Sequence, residues 1–178
     1  MNALSTSIHH LIALAPNMTS KPISLEVGQM APDFTAQLTN GDTINLSDLL
    51  SYGDRVILYF YPKDNTPGCT TQACDFRDNF SKFKSAGFRV IGVSRDSSKS
   101  HQNFIDKYEL PFELIVDTDL NLHKMYGVWR EKMNYGKTYL GVVRSTFVID
   151  TDGSIMSAGY NIRASGHVDR LSKELSIE

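Results

Sequence analysis

The sequence has few cysteines and no long apolar segment. Only two of its 178 residues are cysteine, Cys69 and Cys74, too few for the disulfide framework of a small secreted domain. No apolar run reaches the roughly 18 residues that a membrane-spanning helix needs. The short apolar run at 11–15 lacks the preceding basic residues of a secretory signal. We therefore expect a cytoplasmic protein that makes no use of a membrane, with a targeting segment as the alternative.

The sequence also lacks a marked excess of either charge. Its formal net charge is −2, and the basic residues are interleaved with acidic ones, so no basic surface for nucleic acid is expected. Hydrophobic residues make up 41% and charged residues 21% of the chain, which is typical of a globular protein. We expect a flexible N-terminal extension at residues 1–20 and a single domain at 21–178.

Strand-like and helix-like patterns alternate along the chain. The continuous apolar runs at 56–61 and 88–94 are typical of central strands buried on both faces. The pattern predicts further strands at 112–116, 145–150 and 154–160, a weak strand pair near 34–46, and helices at 69–83, 98–108, 119–126 and the C-terminus. Residues 127–143 are predicted to be mostly loop. These elements predict an α/β protein with a mixed central sheet flanked by helices, compatible with a thioredoxin-like fold.

Cys69 lies where a short loop after a buried strand gives way to a helix. A helix N-terminus presents unpaired backbone N–H groups and positive potential, and both favour a thiolate, the form that attacks electrophiles. Thr66, three residues earlier, has a hydroxyl that can donate to the thiolate or to a bound substrate. Pro62 and Pro67 stiffen the loop and give it apolar surface. The plainer alternative is that residues 66–68 only form a turn that leads into the helix.

Cys74 follows Cys69 by five residues on the same predicted helix. Five helical residues place the two Cα atoms roughly 8–9 Å apart on different faces, whereas a disulfide rarely spans more than about 6.8 Å. A bond between them would therefore require the first helical turns to unwind. If Cys69 is oxidised to a sulfenic acid, Cys74 is the only other thiol of the chain that can condense with it. A second subunit, a small thiol or a purely structural Cys74 are the alternatives.

Residues 59–78 resemble the active-site segment of peroxiredoxins, most closely the peroxiredoxin Q subgroup, also called bacterioferritin comigratory protein. The signature Pro-x-x-x-Thr-x-x-Cys of the family falls on Pro62, Thr66 and Cys69, and the resolving cysteine of the subgroup falls on Cys74. The resemblance extends over about residues 25–176. Further segments that carry it are residues 28–34, 126–129, 135–139 and 144–150.

This resemblance implies a thioredoxin-like fold with extra N-terminal elements, and reduction of hydrogen peroxide and organic hydroperoxides without metal or flavin. It assigns Cys69 as the peroxidatic cysteine, Cys74 as the resolving cysteine and Arg144 as the active-site arginine. The implied reductant is thioredoxin or a similar dithiol protein. Because an intramolecular resolving cysteine needs no partner subunit, we expect a monomer.

Two other functions are compatible with such a scaffold. A disulfide oxidoreductase usually carries Cys-x-x-Cys, whereas the spacing here is Cys-x-x-x-x-Cys, so an insulin-reduction assay would separate the two. A binding module that keeps the fold without catalysis would consume no peroxide.

Overall fold

A computed structural model describes residues 22–178. The predicted flexible extension at 1–20 lies outside the described residues, so the division of the chain at residue 20 stays a prediction. Among residues 22–178, no helix is long and apolar enough to cross a bilayer.

The described chain alternates between strands and helices. The strands are β1 (Thr35–Leu38), β2 (Thr43–Asn45), β3 (Arg55–Phe60), β4 (Phe88–Ser94), β5 (Glu113–Val116), β6 (Trp129–Asn134), β7 (Lys137–Val142), β8 (Ser145–Ile149) and β9 (Ile155–Gly159). The helices are α1 (Leu46–Ser51), α2 (Pro67–Asp78), α3 (Phe80–Ser85), α4 (Ser98–Tyr108), α5 (Asn121–Met125) and α6 (His167–Glu174).

Seven strands form one mixed sheet in the order β2-β1-β5-β4-β3-β8-β9. The central strands β3, β4 and β5 run parallel, while β8 pairs antiparallel with β3 and β1 pairs antiparallel with β5. The predicted mixed sheet is thus confirmed, as are the five strands and the weak strand pair expected from the sequence. The last residues of β3 and the first residues of β8 lie side by side, because Phe60 pairs with Ser145.

The strand β3 separates two hydrophobic cores. Val56, Leu58 and Phe60 belong to the core on one face of the sheet, where α1 and α5 pack. The alternate residues Ile57 and Tyr59 belong to the core on the other face, with α2, α3, α4 and α6. Because successive side chains of a strand point to opposite faces, a strand buried on both sides needs the unbroken apolar run that the sequence shows.

The prediction of loop for residues 127–143 is wrong. β6 and β7 form a separate two-stranded antiparallel sheet, joined by Tyr135 and Gly136, which both have positive φ, as tight two-residue hairpin turns require. Most side chains of this hairpin are exposed, so its strands lack the apolar alternation by which half-buried strands are predicted.

The single helix predicted at 69–83 is two helices that meet at Asn79. The Asn79 side-chain amide donates to the carbonyl of Asp75 at 2.8 Å, and its backbone N–H donates to the same carbonyl at 3.2 Å. An Asn side chain that bonds the backbone in this way competes with the helical pattern. Consequently α2 ends at Asp78 and α3 is a separate short helix.

The helix α6 packs against the sheet and against α2 through its first residue, His167. Its imidazole Nε2 lies 3.0 Å from the hydroxyl of Thr146 on β8, and its ring centroid is 6.1 Å from that of Phe76 on α2. Burial, together with the positive charges of Arg170 and Arg144, lowers the pKa of His167 to about 4. The folded protein therefore holds this histidine neutral.

We expect the stability of the protein to fall as the pH drops from 6.5 to 4. Because the unfolded chain binds a proton at His167 in this range while the folded chain does not, protonation favours unfolding. A shift from 6.5 to about 4 corresponds to about 3 kcal/mol at pH 4. Urea unfolding at several pH values should show a smaller acid loss for His167→Asn than for the wild type. An equal loss in both proteins would contradict the assignment.

Candidate active site

Hydrogen bonds fix the loop that follows β3 at its first residue and at its middle. Its first residue continues the strand, since the N–H of Tyr61 donates to the carbonyl of Val93 at 3.1 Å. The next turn is anchored by the N–H of Asp64, which donates to Asp96 at 3.0 Å. Asn65 then takes a left-handed backbone conformation with φ of 60°, which Asn tolerates better than most residues. The chain is thereby turned to start α2.

The helix α2 begins with Thr66 as its N-cap, followed by Pro67. Proline suits the first helical position, because its missing N–H would have no helical acceptor there. The first helical bond runs from the N–H of Thr70 to the carbonyl of Thr66 at 2.9 Å. Cys69 is therefore the third residue of α2, within the turn whose N–H groups lack helical acceptors, as the sequence predicts.

Cys69 is buried and contacts the side chain of Arg144. Only 2% of Cys69 is exposed, and the guanidinium Nη2 of Arg144 lies 3.4 Å from its sulfur. Arg144 immediately precedes β8, and its carbonyl accepts a hydrogen bond from the N–H of Ile162 at 2.9 Å. A Cβ at Gly68 would lie 3.3 Å from the same Nη2, so the glycine leaves room for the guanidinium. A permanent positive charge thus lies against the thiol.

Gln72 holds the other arm of this arginine, and sequence analysis did not identify it. Its side-chain oxygen accepts a hydrogen bond of 2.6 Å from Nη1 of Arg144, and the residue is fully buried. A spacing of three residues places Gln72 on the same helical face as Cys69. A polar residue at this spacing from a reactive cysteine is the signal that could have identified it.

Thr66 and Pro62 are near Cys69 in the chain but do not bond its sulfur in this structure. The hydroxyl of Thr66 donates to the carbonyl of Lys63 at 2.8 Å, so its expected role as a donor to the thiolate or to a bound substrate stays a prediction. Pro62 is partly buried two residues after β3 and has no N–H to donate. The structure thus brings together Cys69 and Arg144, while the Thr66 hydroxyl is hydrogen-bonded within the loop.

Cys74 is half-buried on the same intact helix as Cys69, and both thiols are free. The expectation that the two cysteines share one helix is confirmed. The folded protein therefore carries the pair in the arrangement that does not allow a disulfide, because the residues lie more than one helical turn apart.

A buried network ties the loop to α4. One carboxylate oxygen of Asp64 accepts from the hydroxyl of Tyr61 at 2.6 Å. The other lies 2.7 Å from Nδ1 of His101 and accepts from Ser100 at 2.8 Å. The second ring nitrogen of His101 is 2.8 Å from the carbonyl of Ile115 on β5. The loop before Cys69 is thus fastened to two further elements of the fold.

Three members of this region could offer ligand atoms to a cation. Atoms of Asp64, Asp96 and His101 lie within 4.8 Å of one another. Each carboxylate already accepts hydrogen bonds, Asp64 as described and Asp96 from the hydroxyl of Ser94 and the N–H of Asp64. These contacts account for the cluster as a polar anchor of the loop.

The model of the AhpC/TSA family matches residues 27–158. Peroxiredoxin Bcp of Bacillus subtilis is 44% identical over 146 residues, which cover 82% of this chain and 92% of that protein.

Two solved structures show the same architecture. A mutant of PrxQ from Xylella fastidiosa superimposes with a TM-score of 0.80 at 33% identity, covering 86% of this chain and 97% of that one. Bacterioferritin comigratory protein of Xanthomonas campestris, described for its alkyl peroxide reduction activity, gives a TM-score of 0.77 at 38% identity, covering 85% and 95%. These similarities confirm the predicted thioredoxin-like fold.

We expect the pair of His101 and Asp64 to contribute strongly to stability. His101→Leu keeps most of the side-chain volume but leaves Asp64 without a buried hydrogen-bond partner, and such a loss lowers the free energy of unfolding by about 1–3 kcal/mol. The matched control is Asp169→Ala, which breaks an exposed pair with Lys173 and should change it by less than about 1 kcal/mol. Urea unfolding measures both. Similar values for the two variants would contradict a structural role of the buried pair.

Proposed function

The chain belongs to the AhpC/TSA family and is a peroxiredoxin, a thiol-dependent peroxidase, and we propose that Cys69 is the cysteine that attacks the peroxide. The contact of 3.4 Å between Arg144 and the sulfur carries this proposal. A guanidinium beside a thiol at a helix N-terminus favours the thiolate and offers a donor to an approaching oxygen. Of the two cysteines, only Cys69 has this environment.

In the first step, the thiolate of Cys69 attacks one oxygen of the hydroperoxide. The S–O bond forms as the O–O bond breaks, and the second oxygen leaves as water or an alcohol after it takes up the proton that the thiol released on ionisation. The sulfur loses two electrons and becomes a sulfenic acid. Arg144 stabilises the negative charge that moves from sulfur to oxygen. Thr66 can donate to the peroxide once its hydroxyl leaves the carbonyl of Lys63, and Pro62 keeps apolar surface beside the loop.

In the second step, Cys74 resolves the sulfenic acid. The sulfur of Cys74 displaces the oxygen of Cys69 as water, and an intramolecular disulfide forms. Because both residues lie on the intact helix α2, this step requires the first turns of α2 to unwind. Resolution within one chain needs no partner subunit, so we propose a monomer.

In the third step, a thioredoxin-like dithiol protein reduces the disulfide by thiol–disulfide exchange. Its first thiolate attacks one sulfur and its second thiol releases the mixed disulfide, which restores both cysteines. We propose hydrogen peroxide and organic hydroperoxides as substrates. The alkyl peroxide reduction described for the Xanthomonas relative supports the organic class.

The cycle is tested by intact mass after one equivalent of hydrogen peroxide. We expect the wild type to lose two hydrogens, and Cys74→Ser to gain one oxygen that a sulfenic-acid reagent traps on Cys69. A sulfenic acid that persists in the wild type would contradict the role of Cys74 but not that of Cys69. No oxidation of either protein would contradict the role of Cys69.

We expect Arg144→Lys to slow the first step by about 10²–10³-fold, the usual effect of removing one donor to a developing oxyanion. Lysine keeps the positive charge but lacks the planar guanidinium, which contacts Cys69 and Gln72 at the same time. Rapid-quench mass spectrometry of the reduced protein with peroxide measures the rate. Arg163→Lys, at an exposed arginine, is the matched control and should react like the wild type. A loss below about tenfold in Arg144→Lys would contradict the role of the guanidinium.

A further inference from the structure

The hydroxyl of Tyr59 is buried beneath α2 and has no hydrogen-bond partner within residues 22–178. Tyr59 is 1% exposed, and among residues 22–178 no group donates to or accepts from its Oη. Burial, followed by the negative charges of Cys69 and Asp64, raises the pKa of Tyr59 well above its ordinary value. The group therefore stays a neutral hydroxyl whose hydrogen-bonding capacity is not used.

The ring of Tyr59 is held in place, so the hydroxyl cannot turn to another partner. It stacks on Phe76 of α2 with 4.6 Å between ring centroids and on Tyr61 with 5.5 Å. The ring also lies over Gly92 of the neighbouring strand β4. A Cβ added at Gly92 would be 3.0 Å from Cζ of Tyr59. Tyr59 thus joins β3 to the helix that carries both cysteines.

A second unpaired polar atom lies on the helix itself. The oxygen of the Gln72 amide accepts from Arg144, and because a guanidinium only donates, this contact fixes the orientation of the amide. Its nitrogen Nε2 is then buried without a partner among the described residues. Such groups disfavour the state that buries them, because water would satisfy them. Both therefore disfavour the folded form of α2.

We propose that Tyr59 is a positioning residue for the resolving step, whose unpaired hydroxyl destabilises the folded form of α2 and is hydrated when the helix unwinds. The hydroxyl thereby promotes the approach of Cys74 to the Cys69 sulfenic acid. The chemical step is unchanged: the S–S bond forms, and the sulfenic oxygen leaves as water with the proton of the Cys74 thiol. This inference rests on the proposed function, in which these two cysteines form an intramolecular disulfide.

Tyr59→Phe tests the inference because it removes the hydroxyl and keeps the stacked ring. We expect the melting temperature of the reduced protein to rise by about 2–4 °C, the rate of the first step to stay unchanged, and the disulfide to form about tenfold more slowly. The longer-lived sulfenic acid should then give more sulfinic acid in excess peroxide. Rapid quench, thiol blocking and intact mass at successive times separate the two steps.

The matched control is Tyr126→Phe, which removes a buried hydroxyl that donates to the carbonyl of Pro32 at 2.7 Å. This variant should melt at a lower temperature and resolve at the wild-type rate. Disulfide formation in Tyr59→Phe that is as fast as in the wild type, or faster, would overturn the inference alone. A wild type that forms no Cys69–Cys74 disulfide would overturn the proposed function, and the inference with it.

Discussion

The contact between the sulfur of Cys69 and the guanidinium of Arg144 is the interaction on which the rest of the site depends. The two residues are 75 positions apart in the chain, and the sheet brings them together. β3 and β8 pair antiparallel so that Phe60, the last residue of β3, lies opposite Ser145, the first residue of β8. The loop after β3 delivers the cysteine and the residue before β8 delivers the arginine. The register of one strand pair therefore sets the geometry of the chemistry.

Several buried polar groups that fix the frame of the protein are paired, whereas two beside α2 are not. Asp64, His101 and Tyr126 have their hydrogen-bonding groups paired, and these residues fix loops to neighbouring strands and helices. At α2, by contrast, Tyr59 and Gln72 each bury an atom that has no partner in the described chain. Paired polar groups make a region rigid and specific, whereas unpaired ones reduce its margin of stability. Unpaired atoms also occur elsewhere in the described chain, at Glu113, His123 and Ser172. The position of Tyr59 and Gln72, beneath and on α2, is what links their unpaired atoms to the unwinding proposed for this helix.

The sequence predicted those features that depend on neighbouring residues. The strands β3 and β4 and the helix that starts near Cys69 follow from local apolar runs and from the prolines of the loop between them. The position of Arg144 beside Cys69 could be expected only from the family resemblance, because no local pattern reports a contact across the sheet.

The failures of prediction have physical reasons. The hairpin of β6 and β7 was taken for a loop because its strands are exposed and lack an apolar face. The break at Asn79 was missed because it depends on one side chain bonding the backbone of Asp75.

The break at Asn79 also bears on how far α2 would have to unwind in the proposed resolving step. The segment that must unwind to join the cysteines lies wholly within α2, which ends at Asp78. Beyond the break, α3 starts its own hydrogen bonds, with the N–H of Phe83 donating to the carbonyl of Asn79, and buries the Phe83 side chain completely. Since α3 packs on β4 and takes its first helical hydrogen bond from Asn79, the unwinding proposed for the resolving step can end at Asn79. A single uninterrupted helix would couple the opening to the core behind it. In the proposed resolving step, the interruption at Asn79 would therefore confine the unwinding to the segment that carries the two thiols.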